Sequence, residues 1–197
     1  MKKSVVLSLL FLLPLCIERA EAQSWVDALK GVVTEVVDEA TGGQLTQMAI
    51  KGSWNYAGPG VKMGSDDTLS NLAGAAVESS IEAKLSSIYS KVGIRPGLCS
   101  ITFSEGEEFS ITTGSKTLTG SYEFDPSTHA ITLIVGKLQT RINGYAYIDG
   151  TQLELLFPVD KLVSFATLLG SKISAFSSIS KLLAQYDEVQ LGFAFGK

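Results

Sequence analysis

Between residues 97 and 157 apolar and polar side chains alternate with a period of two, the pattern of half-buried β-strands. Cys99, Ile101 and Phe103 are in phase with Phe109 and Ile111 across a Glu105-Gly106 turn. Gly114-Ser115 leads into Leu118, Gly120, Tyr122 and Phe124, and Asp125-Pro126-Ser127 into Ile131, Leu133 and Val135. Gly136-Lys137 leads into Leu138, Thr140, Ile142, Gly144 and Ala146, and Asp149-Gly150, a type I′ hairpin signal, into Leu153, Leu155 and Phe157. The spacing predicts six strands in an unbroken antiparallel meander. An earlier strand carries Ile50, Gly52, Trp54 and Tyr56 on one face, and Gly58-Pro59-Gly60 is expected to end its pairing because proline offers no donor. A last strand carries Val189, Leu191, Phe193 and Phe195. Eight strands is a number at which an antiparallel sheet can close on itself.

Elsewhere the period changes to that of a helix. Leu69, Leu72, Ala73, Ala76, Val77, Ile81, Leu85, Ile88, Tyr89 and Val92 form one apolar stripe, launched by a cap at Ser65 or Asp66 and stopped by Gly93 and Pro96. A shorter helix is expected over residues 25 to 40, with Gly42-Gly43 as its stop, and a helix pair over 162 to 169 and 173 to 186. The strand aromatics and the long helix's stripe are expected to bury one another.

The first residues change the picture of where the chain works. Lys2 and Lys3, an apolar run from Val5 to Leu15 and Ala20-Glu21-Ala22 read as an export signal over residues 1–22, cut ahead of Gln23. The run is well short of the roughly 20 residues that span a bilayer as a helix. Cys16 offers a rival, a lipid anchor, but Pro14-Leu15 ahead of it is the wrong context for lipoprotein processing, so a released periplasmic or secreted protein is expected. Residues 23–47 are then an N-terminal helix and linker, and 48–197 one α+β domain. After cleavage Cys99 is the only cysteine left, which precludes an internal disulfide.

Composition removes further classes. A net charge of −4 with no basic cluster disfavours nucleic acid. His129 is the only histidine, stands at a turn edge with no partner in view, and no Gly-x-Ser-x-Gly elbow accompanies it, so no catalytic residues are assigned. One histidine and one thiol do not make a zinc site, and Ser104 to Glu108 lacks the spacing of a calcium loop, so neither metal nor cofactor is expected. Glu123 and Glu154 alternate with apolar neighbours and face outward, which leaves no carboxylate pair for glycoside hydrolysis. The inward-phased aromatics are the remaining candidates: Trp54, Tyr56, Phe103, Tyr122 and Phe193 could line a pocket for a small apolar ligand, or could fill the core under the long helix.

Gly52-x-Trp54-x-Tyr56, Pro59, Ser65-Asp66, Ala73-Gly74, Ile81-Glu82-x-Lys84-Leu85, Tyr89-x-Lys91-x-Gly93-Ile94, Gly120-x-Tyr122 and Gly192-Phe193 resemble a family of exported lipocalin-like proteins of Bacteroidetes, classed as a domain of unknown function. The likeness runs over roughly residues 45 to 197. It implies a meander sheet curled into a lipocalin-like barrel or half-barrel and an exported location, and it brings no catalytic residue with it. The function expected is non-catalytic binding of a small apolar ligand in the barrel interior. The alternative is a structural or partner-binding envelope protein with a packed core.

Overall fold

The computed structural model describes residue 38 and residues 41–63, 70–169 and 189–197. Its order is α1 (Gln44–Ala49), β1 (Gly52–Met63), α2 (Ser70–Lys91), β2 (Cys99–Phe103), β3 (Glu108–Thr113), β4 (Lys116–Asp125), β5 (Ala130–Val135), β6 (Thr140–Asp149), β7 (Gln152–Pro158), α3 (Val159–Leu168) and β8 (Val189–Gly196). The eight strands form a closed antiparallel barrel, each paired with its neighbour in sequence, and β8 closes the ring against β1. The predicted alternation holds: Ile101, Phe103, Phe109, Ile111, Leu133, Leu155, Phe157, Leu191, Phe193 and Phe195 are all buried.

β1 departs from expectation. Gly58-Pro59-Gly60 does not end pairing; the strand runs on to Met63, with a register shift between Tyr56 and Gly58 and with Pro59 opposite Phe193. The reason is local. β2 pairs only with Gly52 to Asn55, so beyond Asn55 the ladder of β1 has β8 on one side alone, and a strand paired on one side tolerates proline. The bulge also flips the phase, turning Gly58 and Gly60 outward with Ala194 and Gly192, and Pro59 and Val61 inward with Phe193 and Leu191.

The long helix is present as α2 and packs chiefly against β1. Ile81, Leu85, Ile88 and Tyr89 of the expected stripe are buried; the stripe's side chains before Glu78, the cap at Ser65 or Asp66, and the cleavage site and Cys16 lie outside the described residues. So does the second member of the helix pair. The first is α3, which inserts Leu162, Phe165 and Ala166 into the core. Of the expected helix over 25 to 40 only Asp38 is described, and it is helical. The linker holds a helix that the pattern did not predict, α1, whose N-terminus follows two glycines at positive φ, Gly42 and Gly43.

Two hairpins differ in detail. The β6–β7 turn is Gly150-Thr151, flanked by the pair Asp149–Gln152, rather than Asp149-Gly150. Leu138 does not begin β6 but sits in the four-residue tip Gly136–Gln139, where it is 91% exposed.

Candidate functional site

The five aromatics predicted to line a pocket all face the barrel interior and are all buried. They fall into groups. Tyr56 meets Phe193 edge to face at 6.3 Å and Phe195 at 6.1 Å. Phe103 meets Tyr122 edge to face at 5.0 Å. Trp54 is fixed separately, its indole Nε1 donating to the Ile50 carbonyl at 2.7 Å while Lys197 Nζ lies 4.8 Å from its ring centre.

A side chain from α2 joins Tyr56 and Phe193 in one ring cluster. Tyr89 stacks on Phe193 with ring centres 4.9 Å apart, stands edge-on to Tyr56 at 6.3 Å, and donates its hydroxyl to the Gly192 carbonyl at 3.1 Å. Phe165 from α3 meets Phe157 at 5.2 Å and Phe193 at 5.9 Å. Burial pushes the phenols of Tyr56 and Tyr89 well above their ordinary range, so both stay neutral. Tyr122 is raised by burial and by the nearby charges of Glu107 and Glu105, and its hydroxyl donates to the Ser104 carbonyl at 3.4 Å.

His129 has a partner that the sequence did not disclose. Its Nε2 is 2.7 Å from Oδ2 of Asp38, a carboxylate that is only 3% exposed. Asp38 also accepts from the Thr46 amide at 3.0 Å and from the Thr46 hydroxyl. His129 holds a left-handed φ of 56°, its ring stacks on Tyr147 at 5.1 Å, and Lys62 Nζ lies 4.1 Å from the centre of the Tyr147 ring. The order of groups is unlike a hydrolytic triad: the hydroxyl and the imidazole both bind the carboxylate, so among the described residues the histidine is not set against a hydroxyl it could activate. What the cluster does is fasten the segment ahead of β1 to the β4–β5 turn. Gly43 meets the same turn so closely that a Cβ there would lie 1.9 Å from the Pro126 carbonyl oxygen.

One cavity lies on the outside of the barrel. It is an open trough of about 720 Å³ over β2, β3 and β4, walled by the Gly136–Gln139 tip. Its floor carries Thr102, Ser110, Thr119 and Ser121, the Gly120 backbone and the outward side chain of Ile134; Glu108 stands on one rim and Lys137 and Gln139 on the other. Gly120 is required there, since a Cβ would lie 2.0 Å from the Ile134 carbonyl oxygen. A smaller cavity of about 250 Å³ lies between Thr113, Lys116, Leu118 and the end of α3. Neither touches Trp54 or Tyr56. The signal for the trough was in the sequence as hydroxyls at alternate positions of consecutive strands, Thr102, Ser110, Thr119 and Ser121.

Among the described residues no three His, Cys, Asp or Glu side chains gather as metal ligands. No described helix is long and apolar enough to cross a membrane.

A closed eight-stranded antiparallel meander with helices against it defines a lipocalin-like α+β barrel. The chain belongs to the lipocalin-like domain family DUF4923, whose model matches residues 27–197. No catalytic activity attaches to that family description. A solved structure, that of a DUF4847 family protein from Bacteroides vulgatus, is similar at 12% identity and a TM-score of 0.35, covering 77% of this chain and 96% of the other. No curated protein sequence matches the chain.

Proposed function

We propose that this is an exported, non-catalytic binding protein that works from its outer surface, its barrel interior being filled by its own side chains. The observation that carries the reading is Tyr89: a helix side chain, stacked on Phe193, edge-on to Tyr56 and bonded to the Gly192 carbonyl, covers the aromatic faces that an interior ligand would need. A stacked ring pair adds about 1 kcal/mol beyond the area it buries, and a buried phenol that loses its acceptor forfeits about as much again. An interior ligand would have to replace both. The export part of the reading is supported by the leader pattern of residues 1–22.

The competing reading, an apolar ligand among Trp54, Tyr56, Phe103, Tyr122 and Phe193, draws on the aromatic character of the interior and requires α2 to withdraw Tyr89. Titration of a Trp25→Phe variant, in which Trp54 is the sole indole, with a fluorescent fatty acid and with 1-anilinonaphthalene-8-sulfonate separates the two. No saturable quenching of Trp54 is expected; saturable quenching, enhanced in Tyr89→Ala, would favour the interior ligand. Intact mass of protein recovered from its host is expected to correspond to a chain beginning at Gln23, and a diacylglyceryl adduct on Cys16 would replace release by anchoring.

A further inference from the structure

We propose that the trough over β2, β3 and β4 is a binding site for a neutral saccharide, an inference that rests on the reading that the protein works from its outer surface. Elsewhere on that surface some hydroxyl side chains have side-chain partners. Ser53 and Thr102 are 2.9 Å apart, Thr112 and Thr117 3.2 Å apart, and Thr132 donates to Asn143 at 3.3 Å. On the trough floor Thr102 shares in this pairing, but three other hydroxyls do not. Ser110 and Thr119 are direct cross-strand partners on the same β3–β4 ladder as Thr112 and Thr117, yet neither they nor Ser121 makes a side-chain hydrogen bond among the described residues.

Each of these hydroxyls can both donate and accept, which is what a ligand made of hydroxyls requires and what a charged ligand does not. The rims extend the match. Lys137 and Gln139 bring donors from the hairpin tip, and Glu108 brings an acceptor from the opposite side. An anion fits less well, since it would meet one lysine faced by a glutamate. The volume of about 720 Å³ falls within the roughly 300–1,000 Å³ of small-ligand sites.

The test is an amide chemical-shift titration of the full chain with maltose, cellobiose, lactose and diacetylchitobiose. It is repeated on Thr119→Trp, which fills the trough from an exposed position, and on Thr117→Trp, two residues along the same face and outside it. At least one disaccharide should give saturable shifts clustered on Ser110, Thr119, Ser121 and the Gly136–Gln139 tip. The affinity should fall at least about tenfold in Thr119→Trp and stay within about twofold in Thr117→Trp, a difference of roughly 1 kcal/mol or more. No shift at those amides with any of the four sugars, or equal affinity in the two variants, overturns the proposal. Its failure would leave the packed interior untouched, since that reading stands or falls on the apolar-probe titration.

Discussion

At the scale of single residues the most consequential contact is Asp38 with His129 and Thr46. Burial works against the charge of Asp38, but the hydrogen bonds from Thr46 and His129 outweigh it and hold the carboxyl below its ordinary value of 3.8. As the pH falls the unfolded chain therefore takes up this proton before the native one does. The contribution is complete above about 3.8 and is lost as the pH drops through the lower native value. Asp38→Ala should cost about 2 kcal/mol at neutral pH by stranding the Thr46 amide and hydroxyl, and urea midpoints of variant and parent should converge on acidification. Tyr89→Phe should cost about 1 kcal/mol and Tyr89→Ala about 3–5 kcal/mol, read by the same titration. These residues also mark where sequence reading runs out. That Cys99, Phe103 and Tyr122 point inward follows from alternation alone. That His129 meets a carboxylate 91 positions earlier does not, because no periodicity links the two and only the folded linker brings them together.

Among the elements, β1 explains both a misreading and a pair of opposed predictions. Gly58-Pro59-Gly60 has the composition of a break, and whether proline breaks a strand depends on how many neighbours the strand has at that point, which composition does not encode. The hairpins β2 to β7 were legible because each is made with its sequence neighbour; the trough showed in the sequence only as alternating hydroxyls, and Ser110 and Thr119 became separable from Thr112 and Thr117 only once side-chain positions were known. The glycines of the β1–β8 seam have unequal roles. A Cβ at Gly192 would lie 1.9 Å from the Leu155 carbonyl oxygen, whereas one at Gly58 would meet nothing within 4 Å. Gly192→Ala should therefore destabilise by about 3 kcal/mol, and Gly58→Ala should be neutral or stabilising by up to about 1 kcal/mol. Thermal denaturation of the two variants side by side checks both signs.

For the molecule as a whole, one buried thiol reports on the entire core. Cys99 is 3% exposed, and burial pushes its pKa up to about 12, so at mildly alkaline pH it is neither ionised nor reachable. In a Cys16→Ser background, alkylation of Cys99 should be negligible in native protein and should rise with urea along the same curve as circular dichroism. Labelling well before that curve would mean that β2 opens on its own. The trough and the Asp38 cluster stand on opposite accounts in such an experiment: variants in the first should leave the curve in place, and Asp38→Ala should shift it to lower denaturant.

β8 pairs with β7 on one side and with β1 on the other, Tyr56 meeting Phe195 across nearly the length of the described chain. During synthesis, then, the ring stays an unfinished sheet with two bare margins until its eighth strand has emerged, and contacts so distant in sequence form slowly. A polypeptide built this way becomes a closed body only at the last step, when its final strand zips the first and the seventh together.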